Sequence, residues 1–392
     1  MEGLADKGAI ASNNVTAIAN YDSLQYRLAQ TEHEAELRQA MRENAIPGWI
    51  TLSYEREPNY FYASSIEGDS HNTVIGLDTN NGRIMGIGSR SVQKRFVNGK
   101  PMNIGYLGQL RVSPDYRNKL RALKYGFDFC RRYIHSDGVS PYYLTSIISD
   151  NQRAKRLLTS DVPGYPRYRF LDNIYTLAIP TRRPRVAALE TGVSIEAANE
   201  NDIDGIVACL NRNNQRFQFA SYWTKQDILS NSRCRGLSMG DFIIARKNGN
   251  ISACLALWNQ SEFKQVVVRG YTKPIKHARP ILNAFSRLLG YPTLPKIDQA
   301  MKQVFVSHLA LDQDSESLLI PLLRFALGRA KLAGQELVLL GLSQHSPFLA
   351  KLRRNFKHIS YGSSIYLVYW DDTLPDIEQL KQTCLHLDIA VL

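Results

Sequence analysis

The residues of this chain that could do chemistry are most concentrated between Gly105 and Ala122. An apolar run at the start of this stretch favours a β-strand, Pro114 interrupts the run, and a helical pattern of apolar residues follows. The main-chain N–H groups at the start of such a helix have no partner within the helix, and together with the helix dipole they attract anions. Arg117 and Lys119 add positive charge to the same turn. We therefore predict a strand–turn–helix that binds a phosphate group.

The composition indicates a globular chain with two domains. It has 392 residues, 44% of them hydrophobic and 21% charged, and the formal net charge of +12 favours an anionic ligand or partner. No apolar run reaches the roughly 18–20 residues of a membrane span, so we expect no membrane partner. Residues 1–20 lack the apolar core of a signal peptide, and the five scattered cysteines contain no CxxC pair. We expect a disordered leader, a reducing, cytoplasmic location and no metal site.

Several sequence features occur twice in the same order, which predicts an internal duplication. A capping box predicted at Thr31, with Glu34 three residues later, has its counterpart 168 residues further on at Asn199. The hairpin turn Asn81-Gly82 has its counterpart 167 residues further on at Asn248-Gly249. The chain is therefore expected to contain two α+β units that share one plan.

The duplication predicts the domain boundaries and an insertion. The predicted division is a leader at 1–20, a first domain at 21–180, a linker at 181–193, a second domain at 194–374 and a tail at 375–392. After the hairpin the offset between the copies grows from 167 to 199, which indicates a basic insertion at 262–298 in the second copy. Its periodicity predicts a short amphipathic helix from Pro280 to Leu289. We interpret the insertion as a solvated cover over the second sheet, with contact to an anionic substrate, nucleic acid or a partner as the alternative.

The order of predicted elements and one motif resemble the GNAT superfamily of acyl-CoA-dependent N-acyltransferases. The family signature is Val-x-Pro-x-x-Arg followed by a Gly-rich helix start, and Val112, Pro114 and Arg117 match it. Leu120 stands where the family usually has Gly, whose lack of a side chain lets the backbone approach a diphosphate. The resemblance implies two tandem domains, each with a mostly antiparallel sheet flanked by helices in a mixed α+β fold.

A second family pattern, Asn-x-x-Ala-x-x-Leu-Tyr, is matched from Asn151 onwards, with Leu158 in place of the Tyr. In many family members that Tyr protonates the departing CoA thiolate, so the resemblance supplies no such acid here. It does imply that the strand end, the helix start and the next helix cap bind the cofactor. These residues are Leu110, Arg111, Val112, Arg117, Asn118, Lys119, Leu120, Arg121, Ala122 and Asn151.

Acyl transfer from a thioester to an amine requires deprotonation of the amine, stabilisation of an oxyanion and protonation of the thiolate. A bulged or splayed strand at Gly108 or Gln109 could offer a main-chain N–H to the oxyanion. Tyr106 and Gln109 on this strand, and Tyr143 on the next, are the catalytic candidates.

The second copy has an acidic stretch, Asp312 to Glu316, at the expected helix start, where it would repel a diphosphate. We therefore interpret the second copy as degenerate. The leading hypothesis is an N-acetyltransferase that uses acetyl-CoA, or another acyl-CoA, on a small-molecule or peptide amine, as a monomer or homodimer. Two alternatives stay open, a CoA-sensing protein without turnover and a transferase that uses aminoacyl-tRNA. A nucleic-acid partner is not favoured.

Overall fold

The computed structural model describes residues 17–116, 120–181, 189–371 and 374–392, with only the main chain of Leu120. Most of the predicted leader, the greater part of the predicted linker and residues 117–119 of the predicted phosphate-binding turn lie outside the described residues. We refer to residues 17–181 as the first half and to residues 189–392 as the second half.

The described residues form fifteen strands and ten α-helices. The strands are β1 Ile18–Tyr21, β2 Leu24–Leu28, β3 Ile50–Glu55, β4 Ser70–Asp78, β5 Ile84–Val97, β6 Lys100–Val112, β7 Tyr143–Ile148, β8 Arg167–Pro180, β9 Val193–Ala197, β10 Phe242–Lys247, β11 Asn250–Trp258, β12 Gln265–Tyr271, β13 Gln303–Leu311, β14 Leu337–Ser343 and β15 Ile359–Tyr369. The helices are α1 Glu34–Glu43, α2 Tyr60–Ile66, α3 Leu120–Tyr133, α4 Gln152–Leu158, α5 Ile203–Asn214, α6 Lys225–Leu229, α7 Lys273–Leu289, α8 Glu316–Leu332, α9 Leu349–Asn355 and α10 Ile377–Lys381.

Thirteen strands form one sheet in the order β1-β2-β4-β5-β6-β7-β15-β8-β14-β13-β11-β10-β9. Neighbouring strands are antiparallel except for the pairs β6–β7 and β13–β14, which are parallel. The last strand of the second half, β15, lies between β7 and β8, and the last strand of the first half, β8, lies between β15 and β14. The two halves thus exchange their last strands within one sheet. The predicted mixed α+β class, with a mostly antiparallel sheet flanked by helices, is confirmed, whereas the domain boundaries stay a prediction.

The insertion pairs with the first half instead of covering the second sheet. Strand β12 runs antiparallel to β3, with Gln265 opposite Glu55, and the two strands form a separate small sheet. Arg269 from β12 reaches the Glu55 carboxylate, with Nε 2.9 Å from Oε1. This hydrogen bonding and ion pairing to the first half, which no local pattern encodes, decides where the insertion lies. Its helix, α7, begins at Lys273, seven residues before the predicted start.

The first predicted capping box is displaced by one residue. The box joins Gln30 and His33, not Thr31 and Glu34. The Glu34 carboxylate instead accepts a hydrogen bond from the Tyr60 main-chain N–H at 2.9 Å, which ties α1 to α2. The counterpart box at Asn199 forms as predicted.

Strands β5 and β6 form a long hairpin, with 14 and 13 residues respectively. It turns at Asn98-Gly99, where both residues have positive φ angles of 50° and 77°, as expected of a tight hairpin turn. The tip of the hairpin reaches the second half, where the Phe96 N–H donates to Ala220 O at 2.8 Å and the Phe96 carbonyl accepts from the Phe219 N–H at 2.8 Å. The two halves therefore contact each other through main-chain hydrogen bonds at this tip as well.

Both halves carry the same irregularity in the strand that makes the parallel pair. Gln109 in β6 has a φ of 54°, and His308 in β13, 199 residues later, has a φ of 52°. Each lies at a β-bulge, marked by a register shift against the antiparallel neighbour. The parallel pairing ends shortly before each bulge, at Tyr106 and at Phe305. Each half thus holds a pair of parallel strands that diverge beside a bulge.

The largest apolar cluster packs α8 against β10, β11, β13 and β14. Leu177 and Ile179, from the exchanged strand β8, belong to this cluster, so the first half contributes to the core of the second. Among the described residues, no helix has both the length and the apolar character that crossing a membrane would require.

His308 is buried at the second bulge, with 3% of its surface exposed. Its ring centroid lies 4.2 Å from that of Trp223, and Nδ1 lies 2.9 Å from Ser307 Oγ. Burial lowers the pKa of His308 to about 3, because the imidazolium would lose its hydration.

We expect the free energy of unfolding to fall as the pH is lowered from about 7 to about 4.5. In this window His308 stays neutral in the folded protein but gains a proton in the unfolded chain, so this one group would destabilise the fold by about 2–3 kcal/mol. Denaturant titrations at both pH values measure the change for the wild type, His308→Asn and the exposed control His277→Asn. The first variant should lose clearly less stability than the other two proteins, and equal losses in all three would contradict the interpretation.

Candidate active site

One face of the first half's sheet carries a row of polar side chains at the point where β6 and β7 diverge. His71, Ser91 and Tyr106 lie opposite one another across β4, β5 and β6. Directly paired residues project to the same side of a sheet, so these three side chains share one face. We call this side of β4 to β7 the polar face.

A buried ion pair covers the polar face. Arg56 donates from Nη1 to Ser64 Oγ at 3.0 Å, contacts the Glu67 carboxylate through Nη2 and lies over the Tyr60 ring at 4.7 Å. His71 Nε2 is 3.3 Å from the other Glu67 oxygen. Burial would raise the pKa of Glu67, but Arg56 and then His71 outweigh it and lower the pKa to about 2. Glu67 is therefore held as a carboxylate between a guanidinium and an imidazole.

Several buried polar atoms in this region have no hydrogen-bond partner among the described residues. Arg95 is fully buried and donates from Nη1 to Phe219 O at 3.0 Å, but its Nε and Nη2 have no partner there. The same holds for Arg111 Nε and Gln109 Oε1. Burial lowers the pKa of Arg95 to about 10. Since buried polar atoms are nearly always satisfied, such a concentration of them is typical of a place that meets water or a ligand.

Tyr106 lies at the divergence of the two strands. Its hydroxyl is 2.6 Å from Ser146 Oγ on β7, which bridges the strands just beyond their last paired residues. Burial raises the pKa of Tyr106, so the phenol keeps its proton at neutral pH. A protonated hydroxyl at this position is a potential proton donor.

The side chains that follow the bulge at Gln109 lie in different environments. Leu110 has 44% of its surface exposed, whereas the Arg111 side chain is half-buried near Tyr54 and Arg56. Burial, and secondarily Arg56, lowers the pKa of Arg111. Val112 packs against the apolar cluster beneath α3. The predicted cofactor residues of this strand end therefore point in different directions, with Arg111 towards the polar face.

The helix start is described in part. Arg121 is exposed in the first turn of α3, and the buried Ala122 accepts a hydrogen bond at its carbonyl from the Tyr26 hydroxyl. Arg117, Asn118 and Lys119, and the side chain of Leu120, lie outside the described residues.

On the next helix, Asn151 caps α4, with Oδ1 accepting from the Ala154 N–H at 3.1 Å. Leu158 is buried in the core at the end of α4.

Tyr143 lies on the other side of the sheet from Tyr106. It has 1% of its surface exposed, its ring contacts Trp370 edge-on, and its hydroxyl is 2.9 Å from His135 Nδ1. The structure thus brings Tyr106 and Gln109 to one region and places Tyr143 in the packing against α3. The proposed roles of all three stay predictions.

The polar face itself, including His71, Glu67, Arg56 and Arg95, was not predicted from the sequence. A signal for part of it exists, because polar residues alternate along β5 with a period of two. They are Ser89, Ser91, Gln93 and Arg95. Such alternation indicates that one whole face of a strand is polar, and all four residues are buried. Arg56 and Glu67 flank α2 and reach the face only through tertiary packing.

In the second half, residues 384–392 occupy the region beside the corresponding bulge. The His308 N–H donates to Asp388 Oδ2 at 3.0 Å, and the Ala390 N–H donates to Oδ1 at 3.0 Å. Ile389 packs so closely on β14 that a Cβ added to Gly341 would lie 2.1 Å from its Cγ2. The bulged main chain of the second half therefore binds a carboxylate of the same chain.

The acidic stretch of the second half is neutralised by two arginines, one in α5 and one two residues beyond its end. Asp312 accepts from Arg212 at 2.8 Å, and Asp314 accepts from Arg216 at 2.9 Å. These ion pairs lie where, by the duplication, the first half has its predicted diphosphate-binding turn.

Comparison with known proteins shows similarity at the level of structure. No protein-family profile matches the sequence, and comparison with curated protein sequences gives no match. The N-myristoyltransferase of Saccharomyces cerevisiae, solved with bound myristoyl-CoA, superposes with a TM-score of 0.59 at 12% identity, over 98% of this chain and 91% of that one. A GCN5-related N-acetyltransferase from Sphaerobacter thermophilus superposes with a TM-score of 0.52 at 11% identity, over 95% of this chain and 100% of that one.

A third similar structure is the GCN5-related glucosamine N-acetyltransferase region of a fungal multi-domain β-N-acetylglucosaminidase. It gives a TM-score of 0.58 at 13% identity, over 90% of this chain and 39% of that one. At these identities the similarity concerns the fold, and two of the three structures match this chain over nearly their whole length. The chain therefore has the GNAT fold, the fold of the acyl-CoA N-acyltransferases, in a form that extends through both halves.

Proposed function

We propose that this protein is an acyl-CoA-dependent N-acyltransferase that transfers its acyl group directly to an amine. The observation that carries the proposal is the bulge at Gln109, which lies next to the diverging strands β6 and β7 and borders the polar face. The structural neighbours add support, because their names describe N-acyltransferases.

Acyl-CoA, when bound, supplies an activated thioester carbonyl. The main-chain N–H of Gln109 is the group that we propose holds the carbonyl oxygen as it gains negative charge. Its counterpart in the second half, the His308 N–H, has the same positive φ and donates to a carboxylate oxygen. The same backbone geometry is thus suited to binding an anionic oxygen.

Tyr106 and His71 are suited to opposite proton transfers. Tyr106 stays protonated because burial raises its pKa, so its hydroxyl can give a proton to a leaving thiolate in place of the acid that Leu158 cannot provide. His71 Nε2 lies 3.3 Å from the Glu67 carboxylate, and Nδ1 is the nitrogen that we propose takes a proton from the amine. The Glu67–Arg56 pair would keep the imidazole oriented.

The diphosphate is assigned to the turn before α3. The exposed Arg121 and the helix start at Leu120 border this turn, and Arg117 is its central cation by the family resemblance. Acetyl is the first expectation for the acyl group. A longer chain is the alternative, since a myristoyltransferase shares the fold.

We expect Arg117→Glu to weaken acyl-CoA binding at least about tenfold, because it replaces a charge-assisted contact to phosphate by repulsion. Isothermal titration calorimetry with acetyl-CoA and with longer acyl-CoAs measures the affinity. Lys331→Glu, the same charge reversal at the exposed end of α8, is the matched control and should bind like the wild type. If Arg117→Glu binds acyl-CoA as tightly as the wild type does, the diphosphate lies elsewhere. If the wild type binds acyl-CoA but releases no CoA in the presence of any amine tested, acyl transfer is refuted and acyl-CoA binding is not.

We expect Tyr106→Phe to lower kcat by about 10²–10⁴-fold, the usual contribution of a general acid, with little change in the affinity for acyl-CoA. CoA release with a thiol reagent measures the rate. Tyr168→Phe is the control, because Tyr168 is also buried with a pKa raised by burial, in the core that packs against Tyr143. A wild-type kcat for Tyr106→Phe would remove Tyr106 from the mechanism.

His71→Gln tests the proposed base. The amide keeps a polar side chain beside Glu67 but cannot take up a proton, so kcat at saturating amine should fall while acyl-CoA affinity is kept. The expected fall is about 10²-fold or more. Equal rates for the variant and the wild type at every pH would show that another group accepts the proton.

A further inference from the structure

Helix α7 exposes the apolar side of an amphipathic helix. Ile281, Phe285 and Leu288 have 63%, 59% and 80% of their surfaces exposed. They are spaced four and three residues apart, so they form one stripe along the helix, and Leu282 beside them is 40% exposed. We call these four residues the α7 stripe. An amphipathic helix of a globular protein ordinarily turns such a stripe towards the core.

The polar side of α7 is the side that forms hydrogen bonds with the rest of the protein. Asn283 is buried, donates from Nδ2 to Leu294 O at 3.0 Å and accepts from the Leu294 N–H at 2.8 Å. Arg279 donates from Nε to the same carbonyl at 3.1 Å. These three hydrogen bonds fix the rotation of the helix about its axis, so the outward direction of the α7 stripe is set by the structure.

The charge of the helix is of one sign. From Lys273 to Leu289 it contains four Lys and Arg residues and no Asp or Glu. Two copies of the chain that paired through this helix would therefore bring like charges together with no acidic partner on either helix. An anionic surface with an apolar layer beneath it matches both the charge and the stripe.

An exposed tryptophan lies at the start of the same helix. Trp49 has 80% of its surface exposed, and its carbonyl accepts a hydrogen bond at 3.1 Å from the N–H of Thr272, the residue that precedes α7. Tryptophan is enriched where an apolar phase meets water, since its ring is apolar and its N–H is polar.

We propose that α7 binds the surface of a lipid bilayer that contains anionic lipids, lying in the plane of the interface with the α7 stripe among the acyl chains. This inference does not depend on the proposed transferase activity. It replaces the expectation of no membrane partner, which rested on the lack of a long apolar run. A helix that lies on a membrane needs an apolar stripe and flanking cations instead of a continuous apolar segment.

The test is co-sedimentation of the full chain with vesicles of phosphatidylcholine, with and without about 30% phosphatidylserine. The wild type should bind the anionic vesicles, bind neutral vesicles more weakly and dissociate as salt is added. The double variant Phe285→Gln/Leu288→Gln should lose at least about tenfold in partition coefficient, because it removes two apolar anchors. Leu332→Gln, an exposed leucine at the end of α8, is the matched control and should bind like the wild type.

Three outcomes would overturn the proposal. The first is a wild type that stays in solution with anionic vesicles, and the second is a double variant that binds them as well as the wild type does. The third is a concentration-dependent dimer of the wild type, seen by analytical ultracentrifugation without lipid and lost in the double variant, since a second copy would then be what covers the stripe. Thermal unfolding of the double variant should match the wild type, because the replaced side chains are exposed.

Discussion

The exchange of the last strands is the constraint on which the rest of the structure depends. Strand β8 of the first half completes its hydrogen bonding only between β15 and β14, and β15 completes its own only between β7 and β8. Leu177 and Ile179 then enter the core of the second half. Neither half can satisfy its main-chain groups alone, so the two are fixed relative to each other. This rigid arrangement brings the polar face and residues 384–392 together at the centre of the molecule.

Several charged side chains lie in a buried environment at the centre of the molecule. Lys264 donates to Ala390 O at 3.3 Å and to Leu392 O at 2.9 Å, and burial lowers its pKa to about 8 against the opposing effect of Glu67. Arg95, whose pKa is lowered by burial and then by Arg233, donates from the first half to Phe219 O of the second half at 3.0 Å. Buried charges without full pairing cost folding free energy, and strongly perturbed ionisable groups cluster at functional sites. The charged groups at the centre of this fold therefore lower the free energy of unfolding.

The features that sequence reasoning could predict are those written in local patterns. Periodicity and turn residues located most strands of both halves, and the bulge expected near Gly108 or Gln109 is present at Gln109. The exchange of β8 and β15 was not predictable, because pairing partners far apart in the chain leave no local signal. The same reason applies to β12, which pairs with β3 some two hundred residues away. Among the residues of the polar face, Tyr106 was predicted as a candidate from its strand, whereas Arg56 and Glu67 become neighbours only through packing.

The carboxylate of Asp388, bound to the His308 N–H, can be viewed as a ligand that the protein carries with it. A group tethered to its own binding site competes at an effective concentration of millimolar or more, roughly independent of what surrounds the molecule. A free carboxylate or thioester would have to exceed that concentration, and displace the packing of Ile389 on β14, before it could reach the bulge of the second half. Occupancy of the bulge at His308 is thus decided by the covalent chain and does not depend on the supply of a diffusing ligand.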